Sequence, residues 1–259
     1  MRKAWIIVLS AAIVGGVFAF EYWTSIQFPL VDYTPGDLPV LPVGIVREYD
    51  YVIEGEMAGT YRFWVEATGP YAVGTGGSLS MRVAYFARSL TSLEHEGVAA
   101  EIEMIYVFGT DLTPFEYRLN ASLGDESERI TCVFDGWNVE GKIEAGESTL
   151  EQSLELPEDT ALFDTFMPGH WDLFFKQFTL EPGKRVTIDA FIPQLLSHLS
   201  IRLASDKKAK TISIGGVDYE CLVVRIVELN LVLYLHEGDL IRLEEPDRGI
   251  VISLREIPP

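Results

Sequence analysis

Apolar and polar residues alternate along most of the chain, from residue 47 to residue 256, as in β-strands that bury one face. In segment 129–135, for example, Ile130, Cys132 and Phe134 share one face of an extended chain. Turn residues rich in glycine separate the alternating segments. Such a series predicts an antiparallel meander that forms either a barrel or a sandwich.

We therefore predict one antiparallel β domain over residues 47–259, because roughly 210 residues is a normal size for a single all-β domain. No repeat of fixed period is visible in this part of the chain. The predicted strands cover residues 47–57, 59–67, 81–95, 98–108, 115–123, 129–135, 139–145, 150–156, 185–192, 198–204, 211–214, 217–229, 231–235, 239–243 and 249–255.

Residues 160–178 break the period of two, and aromatic side chains recur there at the three- and four-residue spacing of a helix. Pro168-Gly169 is expected to end whatever structure precedes that helix. A helix this aromatic is unfavourable in water, so we predict that it covers the hydrophobic face of the sheet. The aromatic side chains predicted to line an apolar ligand site there are Phe163, Phe166, Trp171, Phe174, Phe175 and Phe178.

The first residues have the pattern of a targeting segment. Residues 4–20 carry no charge and follow a short basic start. Residues 1–24 are therefore predicted to be a signal peptide, cleaved after Ala19, or an N-terminal membrane anchor that crosses the bilayer through residues 4–23. The basic start keeps the N-terminus in the cytoplasm, so the β domain is expected outside the cell membrane, or secreted or periplasmic if residues 1–19 are cleaved.

Residues 25–46 contain four prolines, and proline at this density favours an extended, semi-rigid chain. Two interpretations are open for this segment. It is either a stalk that spaces the domain from the membrane, or a strap packed on the domain through Phe28, Leu30, Val40 and Leu41.

The charge excludes one class of partner. The 259-residue chain is 48% apolar, which excludes a disordered protein, yet its formal net charge is −19. Residues 1–20 contain two basic residues and no acidic one, so the remainder carries a net charge of −21. A body of this charge repels nucleic acid at long range, and we predict no nucleic-acid partner.

Two covalent modifications are compatible with export. Cys132 and Cys221 are the two cysteines of the chain, and both fall on core-facing positions. They either form a disulfide, which would stabilise the fold by roughly 4–5 kcal/mol, or remain separate buried thiols. Asn120 begins a glycosylation sequon and lies on the polar face of its predicted strand.

Motifs for catalysis or metal binding do not stand out. His95 and His236 each precede a Glu-Gly pair, which is typical of a hairpin turn, and the chain has no HExxH motif. His170, Trp171 and Asp172 are consecutive, so on a helix they diverge and cannot form a triad. We predict no catalytic residue, no metal site and no cofactor.

Three segments together resemble the half-barrel of the bacterial lipoprotein carriers LolA and LolB. They are the opening hairpin REYDYVIEGEMAGTYRFWVE, the insert ending in LEPGKRVTIDAFIPQ, and the closing GGVDYECLVVRIVE followed by two more strands. The resemblance is one of architecture over most of residues 47–256, without a diagnostic motif. It implies an all-β fold with one helical insert, in which a short aromatic helix covers a large antiparallel curved sheet or half-barrel. In such carriers the concave face takes acyl chains and helices form a lid, but the resemblance assigns no contact residue here.

These observations predict an extracytoplasmic, membrane-tethered β domain that binds an apolar ligand, such as a lipid, between the sheet and residues 162–178. The alternative is a structural or protein-interaction module of the cell envelope, with a filled core and an envelope protein as partner. An enzyme would need polar residues that converge in a pocket, which the sequence does not show.

Overall fold

The computed structural model of the protein describes residues 28–36, 38–74, 79–164 and 167–255. Each predicted strand is present, and the two-residue strand β9 is added, since alternation cannot reveal so short a strand. The strands are β1 (Arg47–Ile53), β2 (Glu56–Val73), β3 (Ser80–His95), β4 (Val98–Gly109), β5 (Pro114–Leu123), β6 (Glu126–Asp135), β7 (Asn138–Ala145), β8 (Ser148–Glu155), β9 (Ala161–Leu162), β10 (Arg185–Ile192), β11 (Ser197–Ser205), β12 (Lys210–Ile214), β13 (Val217–Ile226), β14 (Leu231–His236), β15 (Asp239–Glu245) and β16 (Ile250–Leu254). The described residues also form helix α1 (Pro168–Gln177) and two 3-10 turns, Pro193–Leu195 and Pro246–Arg248.

The strands hydrogen-bond into a single 16-stranded sheet. The order is β8-β7-β6-β5-β4-β3-β2-β1-β16-β15-β14-β13-β11-β10-β9, with β12 paired to β13. Two meanders are thus joined where β1 pairs with β16, and Tyr49 lies opposite Leu254. Among the strand pairs, β9 with β10 is parallel and the others are antiparallel. Because β8 and β9 end the order without pairing to each other, the sheet is open.

The open sheet curves around a large hydrophobic core. Ile130 on β6, Leu233 on β14 and Trp171 on α1 belong to the same buried cluster. The alternation predicted for β6 is confirmed, since Ile130, Cys132 and Phe134 are all buried. A sandwich is not formed, because one curved sheet supplies the walls of the core. The all-β class with one helical insert is confirmed.

Tight turns with glycine in the second position join several strands. Glu96-Gly97 and Glu237-Gly238 have positive φ at both residues, 51° and 75° in the first pair and 53° and 86° in the second. Two-residue turns of this kind match the twist of the flanking strands, and glycine adopts positive φ without steric cost. The prediction that His95 and His236 precede hairpin turns is therefore confirmed.

The connection between β10 and β11 packs back onto the opposite part of the sheet. A Cβ atom at Gly141, on β7, would lie 2.4 Å from Cδ2 of Leu196 in this connection. Leu196 is 1% exposed, so it has little room to retreat. Glycine at position 141 therefore lets the two halves of the sheet approach each other.

Two groups of predictions fall outside the described residues. They are the signal peptide or membrane anchor of residues 1–24, and the ligand-contact role of Phe166. Within the described ranges, no helix has both the length and the apolar character needed to cross a membrane.

Candidate functional site

Helix α1 lies inside the curve of the sheet, and every residue from Pro168 to Phe175 is buried. The boundary predicted at Pro168-Gly169 is the start of the helix, where the missing N–H of proline leaves no hydrogen bond unmade. A Cβ atom at Gly169 would lie 2.3 Å from the ring of Phe63 on β2. The N–H of Gly169 donates a hydrogen bond of 3.0 Å to the Tyr61 hydroxyl. The first turn of the helix is therefore fixed directly against the sheet.

The predicted aromatic residues pack mainly against one another. Phe163 stacks on Trp171 with 3.9 Å between ring centroids, and Phe174 meets Phe163 edge to face at 5.2 Å. Phe175 and Phe178 are 4% and 6% exposed. These side chains form much of the core, and they leave less free space beneath the helix than a complete lipid needs.

Residues 28–36 and 38–46 run along the domain as a strap. Leu30 forms a parallel bridge to Arg185 at the start of β10, and Val43 forms another to Val65 on β2. The strap therefore crosses from one meander to the other over the end of the half-barrel where α1 terminates.

The strap contacts α1 directly. The ring of Tyr33 stacks on Phe174 at 5.8 Å and meets Phe178 edge to face at 5.2 Å. The N–H of Gly36 donates a 3.0 Å hydrogen bond to the carbonyl of Gln177, at the end of the helix. The strap thus ties down the C-terminal turn of the helix.

Two of the four strap side chains that we expected to dock do so. Phe28 and Leu41 are buried, whereas Leu30 and Val40 are 58% and 90% exposed. Val40 and Leu41 are adjacent in an extended chain, so their side chains point to opposite sides and one of them is buried.

A cavity of about 230 Å³ lies between the strap, α1, β9 and two of the turns that join strands of the sheet. Phe163 and Phe174 are the members of the predicted aromatic set that line it. The other walls come from the strap, the β4–β5 and β6–β7 turns, the segment before and including β9, and α1: Tyr33, Pro35, Gly36, Tyr106, Asp111, Leu112, Thr113, Trp137, Asp159, Thr160, Ala161, Leu162, His170, Leu173 and Gln177.

A buried polar cluster adjoins this cavity. The Tyr117 hydroxyl donates a hydrogen bond to the Asp164 carboxylate, and both side chains are fully buried. The backbone N–H of Asp164 donates to Nδ1 of His170 at 3.0 Å. The amide of Gln194 donates to the Tyr117 hydroxyl at 3.4 Å. Three parts of the chain that are distant in sequence therefore meet here: β5, the stretch from Asp164 to His170, and the 3-10 turn Pro193–Leu195.

Burial in this cluster shifts the pKa values of its titratable groups so that His170 and Tyr117 are uncharged at neutral pH. Burial lowers the pKa of His170 from 6.5 to about 3, so the ring is uncharged at neutral pH. Burial, followed by the negative charge of Asp164, raises the pKa of Tyr117 far above its ordinary value. Since Nδ1 of His170 accepts a hydrogen bond, the neutral ring must carry its proton on Nε2. That Nε2 is buried and has no hydrogen-bond partner among the described residues.

The opening of the cavity is acidic. Asp111 in the β4–β5 turn and Asp159 before β9 are both exposed and form part of its wall. Burial and the charge of Asp159 raise the pKa of Tyr33 to about 12. The wall therefore combines apolar side chains, such as Leu162 and Phe174, with two exposed carboxylates.

Charged residues clamp α1 to the sheet beside the cavity. Arg47 at the start of β1 contacts Asp172 at 2.7 Å and Asp239 at 2.6 Å. Lys176 on α1 also pairs with Asp239, and the N–H of Leu240 donates to Asp172 at 2.9 Å. The clamp joins α1, β1 and β15.

The two carboxylates of the clamp shift in opposite directions. Burial raises the pKa of Asp172, although the charges of Arg47 and Lys176 oppose this. Burial also acts to raise the pKa of Asp239, but hydrogen bonds and charge from Lys176 and Arg47 hold it below its ordinary value. The clamp therefore stabilises the ionised form of Asp239 more effectively than that of Asp172.

The remaining predicted residues lie away from the cavity. Cys132 and Cys221 are buried free thiols on β6 and β13, so separate thiols, and not a disulfide, are present. Asn120 is exposed, and its side-chain oxygen accepts a 3.0 Å hydrogen bond from Arg129.

A second depression, of about 630 Å³, is an open groove across β3 to β7 that includes Asn120. Its walls carry Glu101, Glu103, Glu128 and Glu144, and burial raises the pKa of Glu128. An open acidic groove does not suit an apolar ligand. In the described part of the chain, no three His, Cys, Asp or Glu side chains gather as a metal site requires.

Sequence reasoning missed most of the polar residues of the site. Tyr117 and Asp164 are 47 positions apart, and Tyr33 reaches α1 from the strap. The available signal was His170 itself, a histidine in a helix rich in aromatic side chains. Such a residue needs a partner in the core, but the sequence does not say which one.

The fold and the cavity together define a β-barrel-like domain with a helix packed inside its open sheet. No protein-family model matches the chain, and no curated protein matches it. Two solved structures are similar in fold. A DUF1089 family protein from Pseudomonas aeruginosa is 14% identical, with a TM-score of 0.38, over 69% of this chain and 90% of that chain. A β-barrel-like protein of DUF1849, a domain of unknown function from Brucella abortus, is 9% identical, with a TM-score of 0.45, over 84% of this chain and 97% of that chain. Neither similarity carries a functional argument, and kinship with the LolA and LolB carriers stays a prediction.

Proposed function

We propose that this protein is a non-catalytic binding domain for an apolar ligand, such as a lipid chain, held outside the cytoplasm and tethered to the membrane through residues 4–23. The observation that carries the proposal is the cavity of about 230 Å³ beneath the strap, with Leu162, Phe163 and Phe174 among its walls. Ligand pockets are typically roughly 300–1,000 Å³. The cavity therefore suits one short chain or the end of a longer one.

The binding proposal is tested on the full-length protein purified from the cells that express it. Native mass spectrometry and solvent extraction should show a bound apolar compound. Ala161→Phe, which fills the cavity, should release it, whereas Ala99→Phe, at an exposed position outside the cavity, should retain it. If neither the wild type nor Ala99→Phe carries an extractable compound, the domain is not a carrier of an apolar ligand.

The membrane tether has a separate test. Cell fractionation should leave the full-length chain in membranes washed with carbonate, with Met1 or Arg2 as its first residue. A mature chain that begins after Ala19 in the periplasm or medium would instead support a cleaved signal peptide.

A structural or protein-interaction module of the cell envelope is the second candidate. The observation that favours it is the dense packing of Phe163, Trp171 and Phe174, which fill the interior that a carrier would leave open. The end of β3 also exposes Met81 and Val83, at 66% and 60%. This candidate predicts a protein that lacks any extractable ligand and cross-links to another envelope protein through β3.

A further inference from the structure

The orphaned donor of His170 indicates what chemistry the ligand must have. The ring forms part of the cavity wall, its Nδ1 accepts from the backbone of Asp164 at 3.0 Å, and its Nε2 carries the proton. Within the described ranges this N–H meets no acceptor, and the residue is 2% exposed. Buried donors are almost always paired, so a site with one unpaired donor is complementary to a ligand that brings an acceptor.

The same ring supplies no positive charge. Burial holds the pKa of His170 at about 3, so the imidazole remains neutral at physiological pH. The cluster also contains Asp164, whose carboxylate accepts a hydrogen bond from the Tyr117 hydroxyl and brings no positive charge. An anionic ligand group beside His170 would therefore be buried without a compensating cation, which is strongly unfavourable.

Negative charge at the entrance also disfavours an anionic ligand. Asp111 and Asp159 lie in the wall of the cavity on its exposed side, and the whole chain carries a net charge of −19. A carboxylate or phosphate would have to pass these groups, whereas an uncharged molecule would not be repelled.

We infer that the cavity binds an uncharged amphiphile, such as an alcohol or ester with a short alkyl chain, whose oxygen accepts a hydrogen bond from Nε2 of His170. The alkyl chain lies against Leu112, Leu162 and Phe163, and charged fatty acids are excluded. This inference rests on the proposed function, because it names the class of apolar ligand that the same cavity takes.

The test uses the full-length protein in amphipol, with ¹⁵N-labelled histidine and ¹³C-labelled leucine methyl groups. The probes are 1-hexanol, hexane and hexanoate at pH 8. Methyl resonances of Leu112 and Leu162 report occupancy of the cavity, and the Nε2–H resonance of His170 reports the hydrogen bond. We expect 1-hexanol to shift both sets of resonances and hexane to shift the methyl groups alone. Hexanoate should bind at least about tenfold more weakly than 1-hexanol, because its carboxylate would be buried without a compensating cation.

Variants separate the hydrogen bond from the packing. His170→Phe removes the donor, so it should weaken 1-hexanol binding by about tenfold and leave hexane binding within about twofold. His170→Gln keeps an N–H donor and should recover part of the loss. If His170→Phe does not fold, as judged by thermal unfolding, the wild-type resonances and His170→Gln decide the question.

Three results would count against the inference, and they differ from one another. If 1-hexanol moves the leucine methyl groups but not Nε2–H of His170, the cavity binds apolar chains without the proposed hydrogen bond, and the proposed function survives. If hexanoate binds as well as 1-hexanol, the charge selection is wrong. If no probe moves the methyl groups, the inference and the proposed function both fail.

Discussion

His170 illustrates how burial alone determines the state of a side chain in this protein. The ring lies against Tyr106, edge to face at 4.8 Å, and near Tyr117, and burial disfavours its charged form. Leaving its Nε2–H unpaired costs about 1–3 kcal/mol, and charging the ring would cost more. The protein tolerates the first cost at the wall of a cavity, where a ligand oxygen can remove it.

The low pKa of His170 predicts a dependence of stability on pH. In the unfolded chain a histidine binds a proton below about pH 6.5, whereas folded His170 stays neutral down to about pH 3. The stability present above pH 6.5 is therefore lost as the pH falls from 6.5 towards 3, by up to about 1.4 kcal/mol per pH unit.

Urea unfolding of wild type and His170→Gln at pH 7.5, 6 and 5 measures this loss. As the pH falls, the wild type should lose stability more steeply than His170→Gln. The control His198→Gln, at a part-buried position beside Asp189, should lose stability as the wild type does. Parallel curves for wild type and His170→Gln would contradict a neutral, buried ring.

Gly169 makes a second prediction at this scale. Its missing Cβ lets α1 approach the rigid Phe63 ring, so Gly169→Ala should destabilise the fold by about 1–3 kcal/mol, the usual cost of overpacking. Gly69→Ala on β2 is the control, because nothing lies within 4 Å of the added atom. Phe63→Leu should restore part of the loss in Gly169→Ala, and additive effects in the double variant would show that the two residues do not meet.

At the scale of elements, α1 depends on partners that lie far away in sequence. Arg47 and Asp239 are separated by 192 positions, yet together they hold Asp172 and Lys176 of the helix. A buried pair of this kind contributes little net stability compared with apolar residues, but removing one partner leaves a buried charge unpaired. The clamp thus fixes the position of the helix that forms one wall of the cavity.

Arg47→Met should destabilise the protein by about 3–5 kcal/mol, because Asp172 would then lose its closest cation. Adding Asp172→Asn should recover part of that loss, since the uncompensated charge is removed with it. Chemical denaturation of the two variants, with exposed Arg62→Met as the control, measures both steps. Equal losses in Arg47→Met and Arg62→Met would show that the clamp does not hold the helix.

Elements with a local periodic signal could be predicted from the sequence, and elements defined by distant contacts could not. The burial of Ile130, Cys132 and Phe134 follows from a period of two that their own segment carries. The docking of the strap depends on Tyr33 meeting Phe174, 141 positions away, and proline density is equally compatible with a stalk. The polar cluster depends in the same way on Tyr117 meeting Asp164. The sequence therefore predicts the fold class but not most of the candidate site.

At the scale of the whole molecule, the two thiols lie on opposite meanders, and their environments make them inert. Burial raises the pKa of Cys132 to about 12 and that of Cys221 to about 11. The reactive thiolate is therefore scarce in the folded state near neutral pH. We therefore expect both thiols to stay unreactive in the folded protein even in an oxidising compartment.

Alkylation tests this state of the thiols directly. The folded protein at pH 8 should react slowly with iodoacetamide, and the protein unfolded without reductant should take up two labels, one at Cys132 and one at Cys221. A mass about 2 Da below that of the reduced chain, with no label after unfolding, would show a disulfide instead.

The pairing of β1 with β16 also governs the order of assembly. Hairpins within each meander bring together residues that are close along the chain, and such contacts form quickly. The pairing of Tyr49 with Leu254 must instead close a loop across nearly the whole domain. During synthesis the free edge of β1 therefore waits for the last strand to leave the ribosome, and in that interval it can pair with another chain. We expect the joining of the two meanders to be the slow, aggregation-prone phase of folding. Any dependence on chaperones should therefore arise from the late pairing of β1 with β16.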